Sequence, residues 1–255
     1  MAINPIQAVV FDMGGTLEDV TYDDITRLEA TRGLRDVLRR LDLGPSLSVP
    51  DLQTSVTSGL EAYHTWRGDR GVELSPERVW TEYIFPDHGI CTKRLLAAAD
   101  DLAVFYETHF YTRSLRREAP AALEALKTRD LRLAVISNTF SRQLVPLKLA
   151  EYGIAHHFDP VVTSASLGWR KPNERIFEQA TGLMQIPPEA CAYVGDTVSR
   201  DVIGARRAGW GMVIQIESFL TTIADRNTAP VPPDAVIDDL REIVDLITTS
   251  PGDSS

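Results

Sequence analysis

The chain has 255 residues, of which 44% are hydrophobic and 24% are charged, and its formal net charge is −10. This balance is typical of a globular protein with a sizeable core, and it excludes an intrinsically disordered chain and a disulfide-dense miniprotein. An acidic chain without a basic stripe binds nucleic acid poorly, because phosphate neutralisation dominates that affinity, so we expect a small-molecule partner and no nucleic acid. No apolar run approaches the ~20 residues of a membrane helix, and residues 1–7 show no secretory signal, so we expect no membrane partner and a cytoplasmic location.

The first predicted element is a buried strand near the N-terminus. A short apolar run at residues 7–11 ends at Asp12 and is followed by Gly14 and Gly15. An apolar run of this length that is bounded by glycines is typical of a strand that breaks into a loop at its carboxyl end.

The next segment, from residue 21 to about residue 113, contains no convincing strand pattern. Apolar residues instead recur at helical spacing, for example from Ile25 to Leu41 and from Leu95 to Phe105. This spacing predicts roughly four helices. We therefore predict an all-helical module at residues 19–114, with linkers at residues 18–22 and 113–119.

After residue 119 the pattern changes to alternating helices and strands. Strands are predicted at residues 131–136, 160–163, 191–194, 212–216 and 235–237, and helices at residues 120–129, 142–152, 173–183, 200–208 and 240–248. Alternation of this kind predicts an α/β fold with a doubly wound parallel sheet, formed by residues 1–18 and 115–255. A helical module inserted after the first strand would cover the carboxyl ends of the strands, where ligands bind in open α/β folds.

Chemically useful side chains follow three of the predicted strands. Asp12 follows the first strand, Ser137 and Asn138 follow the second, and Asp196 follows the strand at residues 191–194, with Asp201 shortly after it. Because the carboxyl ends of parallel strands meet at one edge of a sheet, we expect these side chains to converge there.

Lys171 precedes a predicted helix and would reach the same edge. Three carboxylates and one lysine leave excess negative charge, and clustered carboxylates raise one another's pKa unless a cation intervenes. A hard divalent cation, of which Mg²⁺ is the natural candidate, would compensate this charge and recruit a phosphate. The Ser137 hydroxyl and the Asn138 amide would add an anion cradle, so the pattern predicts a carboxylate nucleophile beside a metal and donors for phosphoryl oxygens.

Four short segments together resemble the sequence motifs of the haloacid dehalogenase (HAD) superfamily. They occur in the family's order at residues 11–17 (Phe-Asp-Met-Gly-Gly-Thr-Leu), 137–138 (Ser-Asn), 171–172 (Lys-Pro) and 195–205, which begins with Gly-Asp. The helical module matches the position of the family's C1-type cap, so the resemblance extends over essentially the whole chain. It implies a Rossmann-like core, Mg²⁺ as cofactor, and a phosphatase that acts on a small phosphorylated metabolite through a phospho-aspartyl intermediate.

The resemblance also implies which residues would hold the metal. Asp12 would be both the nucleophile and a metal ligand, and the backbone carbonyl of Gly14 and the carboxylate of Asp196 would complete the protein ligands. Asp201 and Thr16 would lie outside the ligand shell, where Asp201 would orient metal-bound water or the lysine.

A second group of residues would bind the phosphoryl group. By the same resemblance, Ser137, Asn138 and Lys171 would hold its oxygens, and the glycines at positions 14 and 15 would lie against it. Lys171 would also neutralise the nucleophile and, together with Ser137, assist catalysis.

One departure from the family pattern is Gly14. Phosphatases of the family usually carry a second Asp at this position, two residues after the nucleophile, as general acid and base. General acid–base catalysis typically contributes ~10²–10⁴-fold. Another group must supply the proton, the leaving group must not need one, or the enzyme must be slow.

Two alternative functions follow from this departure. In a dehalogenase-type hydrolase Asp12 would attack carbon and a halide would leave without a proton, but dehalogenases of the family work without Mg²⁺ and usually lack a Gly-Asp pair such as Gly195-Asp196. The second alternative is a phospho-ligand-binding protein with weakened catalysis. Gly14 supports it, whereas the presence of Asp12, Lys171 and Asp196 opposes it.

The predicted helical module offers candidates for contact with the substrate. Tyr63, His64, Trp66 and Arg67 lie together on one predicted helix. Aromatic residues at this spacing are also typical of ordinary helix packing, and the sequence does not separate the two interpretations.

Overall fold

The structure, a computed structural model, describes residues 5–43, 47–86, 92–219, 225 and 231–248. The described strands are β1 (Ala8–Phe11), β2 (Glu18–Thr21), β3 (Thr112–Leu115), β4 (Arg132–Ser137), β5 (Phe158–Thr163), β6 (Cys191–Gly195), β7 (Met212–Ile216) and β8 (Ala235–Ile237).

Six of these strands form one parallel sheet in the order β5-β4-β1-β6-β7-β8. Side chains alternate between its two faces: in β1, Val9 and Phe11 pack on one side, whereas Ala8 and Val10 pack on the other. A parallel sheet buried on both faces explains why its strands are continuous apolar runs. The predicted Rossmann-like α/β fold is therefore confirmed.

Ten helices are described, and the five that correspond to the helices predicted after residue 119 begin and end within three residues of the predicted positions. The ten helices are α1 (Asp24–Arg40), α2 (Val49–Arg67), α3 (Pro76–Arg78), α4 (Thr92–His109), α5 (Ala119–Lys127), α6 (Leu144–Glu151), α7 (Ser164–Leu167), α8 (Glu174–Met184), α9 (Ile203–Arg207) and α10 (Glu242–Thr248). A π-helical segment, Val79–Ile84, follows α3, and a second, Val198–Val202, precedes α9. Among the described helices, none has the length and apolar composition needed to cross a membrane.

Helices α1 to α4, which we call the cap, have a hydrophobic core of their own. Leu34, Tyr63, Trp80 and Leu102 are fully or almost fully buried in it. Because this cluster is separate from the two clusters on the faces of the sheet, the cap has its own apolar interior.

The two segments that join the cap to the sheet, expected from the sequence to be simple linkers, form a pair of short strands instead. Strands β2 and β3 pair antiparallel, from Glu18 opposite Leu115 to Thr21 opposite Thr112. The sequence analysis missed these strands because each has only 4 residues and β2 has a buried glutamate where an apolar residue would mark a strand. Arg113 forms an ion pair with this buried Glu18.

Further contacts hold the cap against the core. An isolated bridge pairs Val72 of the cap with Trp169 of the core. Arg142 forms an ion pair with Glu77, and its backbone N–H donates to Asp100 Oδ1 at 2.9 Å. The structure therefore shows the cap docked over the carboxyl edge of the sheet.

Candidate active site

The carboxyl edge of the sheet brings the predicted strand-end residues together. Strand β1 lies between β4 and β6, so Asp12, Ser137 and Asp196, at the ends of these three strands, lie side by side. The chain passes to opposite sides of β1 when it forms β4 and β6. This is the topological switch point at which open α/β sheets bind ligands.

Lys171 connects two of the acids. Its Nζ lies 2.8 Å from Asp12 Oδ1 and 2.7 Å from Asp201 Oδ1, and it also donates to the Tyr193 hydroxyl at 2.9 Å. The side chain is only 1% exposed. A buried ammonium with this set of acceptors is held in one position, next to the predicted nucleophile.

Asn138 holds the backbone of Lys171. The Asn138 Oδ1 accepts the Lys171 N–H at 2.9 Å, and the Asn138 Nδ2 donates to the Lys171 carbonyl at 3.0 Å. The two bonds align the loop that carries the lysine with the end of β4. Both polar atoms of the amide therefore have a positioning role, in addition to the predicted one at the phosphoryl group.

Both carboxylate oxygens of Asp201 accept hydrogen bonds from the protein. Oδ1 accepts from Lys171 Nζ and from the Tyr193 hydroxyl at 3.0 Å, and Oδ2 accepts from the Thr197 N–H at 3.0 Å and from its hydroxyl at 2.5 Å. Burial raises the pKa of Asp201, but Lys171 and Arg200 outweigh burial and lower the pKa below its ordinary value. Asp201 is thus a stable anion that positions the lysine.

Asp196 lies in a different electrostatic environment. It is fully buried, and its Oδ2 accepts a hydrogen bond from the Ser218 hydroxyl at 2.6 Å. Burial raises the pKa of Asp196 to about 7; Arg200 opposes this shift, while Asp201 and Asp12 add to it. Asp196 is therefore a buried carboxyl whose ionisation two neighbouring acids oppose and Arg200 favours.

The three aspartates fit a hard divalent cation. One carboxylate oxygen from each of Asp12, Asp196 and Asp201 lies within 4.8 Å of the others, and all three residues are buried. Burial also raises the pKa of Asp12, although Lys171 opposes it. Carboxylate oxygens are ligands that Mg²⁺ prefers, so the residues present suit the predicted metal.

The two glycines in the loop after β1 differ in how much room each leaves for a side chain. A Cβ at Gly15 would lie 2.2 Å from Asp196 Oδ2, and Gly15 has a φ of +85°, so only glycine fits there. A Cβ at Gly14 would make ordinary contacts, the nearest 3.5 Å from Val20 Cγ2. Next to them Thr16 is buried, and its hydroxyl makes no hydrogen bond within the described part of the chain, so no hydrogen bond from this hydroxyl links it to the aspartates.

A cavity of about 210 Å³ lies between this edge and the cap. Asp12, Ser137 and Lys171 line it from the core. The cap and the β2–β3 pair add several charged side chains, among them Arg67, Glu107 and Arg113. A ligand bound at the aspartates would therefore be enclosed by the cap.

Glu107 is the acid of the cap that faces this cavity. It is 8% exposed, and its Oε2 accepts a 2.5 Å hydrogen bond from Thr139 Oγ1, in the loop after β4. Burial raises the pKa of Glu107 to about 7; Arg113 and the Thr139 hydrogen bond lower it, and Glu73 raises it. A carboxyl with this pKa holds an exchangeable proton at neutral pH.

Sequence reasoning proposed Arg67 only as an open alternative and missed Glu107, Arg113 and Arg170 altogether. Arg170 adjoins Lys171 in the sequence, which is a usable signal. Glu107 and Arg113 lie in segments without a motif, so only the docking of the cap reveals them.

Comparison with known proteins agrees with this architecture. Residues 6–209 match the family model described as haloacid dehalogenase-like hydrolase. The phosphoserine phosphatase of Thermus thermophilus is 36% identical over 191 residues, which are 73% of this chain and 69% of that protein.

Two further similarities are more limited. The haloacid dehalogenase-like hydrolase domain-containing protein 3 of Bos taurus is 40% identical over 121 residues, 48% of this chain and 43% of that protein, so the match spans less than half of that relative. A solved 2-haloacid dehalogenase from Pseudomonas syringae has a TM-score of 0.65 at 23% identity over 95% of this chain and 98% of the other. At this identity the likeness shows the fold alone.

Proposed function

The chain belongs to the haloacid dehalogenase-like hydrolase family, and we propose that it is a Mg²⁺-dependent phosphatase of a small phosphorylated metabolite. The similarity to the phosphoserine phosphatase of Thermus thermophilus supports the reaction class. The acids and the lysine at the sheet edge support a phospho-aspartyl intermediate on Asp12.

The proposed reaction has two steps, both at Asp12. The Asp12 carboxylate attacks phosphorus, the ester bond between phosphorus and the oxygen of the leaving alcohol breaks, and that oxygen takes up a proton. Water then attacks the phosphorylated aspartate, which releases inorganic phosphate and restores the carboxylate. Lys171, 2.8 Å from Asp12 Oδ1, favours the ionised nucleophile and, with Ser137, stabilises charge on the phosphoryl oxygens.

Asp12, Asp196 and the backbone carbonyl of Gly14 are the proposed Mg²⁺ ligands. Mg²⁺, when bound, neutralises phosphoryl charge and favours attack by an anionic nucleophile. Asp201 takes no ligand position in this proposal, because N–H and O–H donors of the protein occupy both of its oxygens.

The observation that carries the proposal is the cluster of three buried carboxylates, two of which contact Lys171. Displacement of a halide from carbon by a carboxylate needs no divalent cation, so a dehalogenase has no use for the negative charge of three clustered carboxylates. A phosphatase uses that charge to hold Mg²⁺ beside its anionic substrate. The group therefore favours phosphoryl chemistry over attack on carbon.

Glu107 is the proposed source of the proton that Gly14 does not supply. In attack by Asp12 the leaving oxygen departs on the side of phosphorus away from the nucleophile, which is the side that the cap covers. Glu107 lines the cavity from the cap, and in this proposal its carboxyl faces that oxygen. A carboxylic acid there would replace the aspartic acid that phosphatases of the family usually carry at position 14.

The test is release of inorganic phosphate from a panel of phosphate monoesters, with Mg²⁺ and with chelator. We expect Mg²⁺-dependent turnover that Asp12→Asn lowers by at least ~10³-fold, since the covalent step is lost. Asp24→Asn on the exposed start of α1 is the matched control and should retain activity.

Two other outcomes would replace the proposal. Halide release from 2-haloacids without phosphate release from any monoester would identify a dehalogenase. Binding of phosphorylated ligands without turnover, unaffected by Asp12→Asn, would identify a phospho-ligand-binding protein. Circular dichroism of both variants keeps loss of fold separate from loss of chemistry.

A further inference from the structure

Two arginines in the cavity wall share one buried carboxylate. Arg67, at the end of α2, has its Nη1 3.6 Å from Glu73 Oε1, and Arg170, next to Lys171, has its Nε 3.1 Å from Glu73 Oε2. The Glu73 side chain is 1% exposed. Both arginines line the same cavity as Asp12.

Glu73 cannot satisfy both guanidinium groups. It also accepts hydrogen bonds from the Tyr63 hydroxyl and, at 2.9 Å, from the Ser164 hydroxyl. Within the described residues the buried Arg170 Nε makes no hydrogen bond, despite its contact with Glu73. Two positive charges against one negative charge leave a surplus of one positive charge at this wall.

The titration of Arg170 reflects the same surplus. Its side chain is 9% exposed. Burial and the neighbouring Arg67 lower the pKa of Arg170 to about 10, and Glu73 restores only part of the shift. An additional anion at this wall would relieve the repulsion between the two guanidinium groups.

We propose that Arg67 and Arg170 bind a second anionic group of the substrate, which is therefore a small phosphate monoester that also carries a carboxylate or a second phosphate. The inference rests on the proposed function, because both anionic ends occupy one cavity. Guanidinium groups suit this role, since they bind carboxylates and phosphates through paired N–H donors. His64, which lines the same cavity, adds a polar neighbour.

The other cavity arginine on the cap side does not compete for this role. Arg113 forms its ion pair with Glu18, whose side chain has 0% exposure. That pair is neutral, whereas the pair of arginines at Glu73 is not. The second anion is therefore directed to Arg67 and Arg170.

The size of the cavity limits the spacing of the two anionic groups. About 210 Å³ is less than the ~300–1,000 Å³ of sites for drug-sized ligands. Arg170 directly precedes Lys171, which lies at the nucleophile. We therefore expect only a short carbon chain between the phosphoryl group and the second anion.

The test compares substrates that differ only in the second anion. The first pair is 3-phosphoglycerate and glycerol 3-phosphate, in which a carboxylate replaces a hydroxymethyl group. The second pair is propane-1,3-diol bisphosphate and its monophosphate. We expect kcat/KM to be about 10- to 100-fold higher for the member that carries the second anionic group in at least one pair, as for a charge-assisted hydrogen bond. The pair that responds distinguishes a carboxylate from a second phosphate.

Variants of Arg67 test where the preference arises. Arg67→Met removes the surplus charge and should lower the ratio of kcat/KM values within the responding pair to below about threefold, whereas Arg67→Lys should restore part of it. Arg175→Met is the matched control, because Arg175 is exposed, stacks 4.2 Å from the Trp169 ring and lies outside this cavity. It should leave the ratio unchanged.

Inhibition of the unaltered enzyme tests the subsite without a variant. Phosphonoacetate should inhibit at least about tenfold more strongly than ethylphosphonate, which lacks the carboxylate. Equal inhibition, equal kcat/KM within both pairs, or a ratio unaffected by Arg67→Met would overturn the subsite while leaving the phosphatase intact. Absence of phosphate release from every monoester would instead overturn the proposed function.

Discussion

Glu107, near the end of the cap helix α4, accepts a 2.5 Å hydrogen bond from the hydroxyl of Thr139 in the loop after β4. The two residues are 32 positions apart in the chain, one in the cap and the other in a loop of the core. Docking of the cap therefore buries an ionisable carboxyl against the core, at the rim of the candidate active site.

This burial makes stability depend on pH. The pKa of Glu107 is raised from 4.5 to about 7, chiefly by burial. Below about pH 4.5 both states are protonated; as the pH rises towards 7, the unfolded chain loses the proton that the folded protein retains. Folding then becomes less favourable by up to about 3 kcal/mol, and the loss is complete above about pH 7.

We therefore expect Glu107→Gln to be more favourable for stability, compared with the unaltered protein, at pH 8 than at pH 4.5. The difference in the free energy of unfolding between variant and unaltered protein should grow by up to about 3 kcal/mol over this interval. Urea denaturation at a series of pH values measures it, with Glu29→Gln on the exposed side of α1 as control. A constant difference across the series would show that Glu107 titrates normally.

Loss of the proposed proton donor should change how the rate depends on the leaving group. In Glu107→Gln we expect kcat/KM for alkyl phosphates to fall by ~10²–10⁴-fold and that for aryl phosphates to fall much less, because a phenolate leaves without a proton. The measurement is kcat/KM across an alkyl-to-aryl series. A purely structural role would lower all members by the same factor.

Gly14→Asp provides a rescue of this variant. The position has room, since a Cβ would lie 3.5 Å from Val20 Cγ2 and 3.7 Å from Arg113 Nη1. We expect the added carboxyl to restore alkyl phosphate hydrolysis in the Glu107→Gln background and to flatten the dependence on leaving-group pKa. An unchanged dependence would mean that a carboxyl at position 14 does not reach the departing oxygen.

Mg²⁺ affinity should depend on Asp196 far more than on Asp201. We expect Asp196→Ala to lower the affinity by at least ~10-fold, because it removes a proposed ligand. Asp201→Asn should change it less and should instead lower thermal stability, because the buried Lys171 loses an anionic partner. Calorimetric titration and thermal unfolding measure the two effects, and unaltered Mg²⁺ binding in Asp196→Ala would contradict the ligand assignment.

The two glycines after Asp12 should respond differently to alanine. Gly15→Ala should destabilise the protein by about 2–5 kcal/mol, because it combines a left-handed backbone with overlap against the buried Asp196. Gly14→Ala should be tolerated, since its Cβ meets only ordinary contacts. Chemical denaturation of both variants gives the comparison, and equal losses of stability would show that the loop shifts to make room.

Local pattern explains how much of the site the sequence predicts. Asp12 and Asp196 follow short apolar runs that can be recognised as buried strands without knowledge of their neighbours. Alternation with helices makes the strands parallel, and parallel strands end at one edge. Convergence of Asp12, Ser137 and Asp196 thus follows from the sequence alone, and the sheet order confirms it.

Only the tertiary structure decides which side chains face this edge from the cap. Arg67 and Glu107 lie on helices whose periodicity predicts burial or exposure but no partner, and Glu73 meets Ser164 across 91 positions. The tertiary structure also assigns the Asn138 amide to the Lys171 backbone. Periodicity is a property of neighbouring residues, whereas these contacts join residues far apart in the chain. They depend on how the cap packs on the core and on how the loops of the core pack against each other.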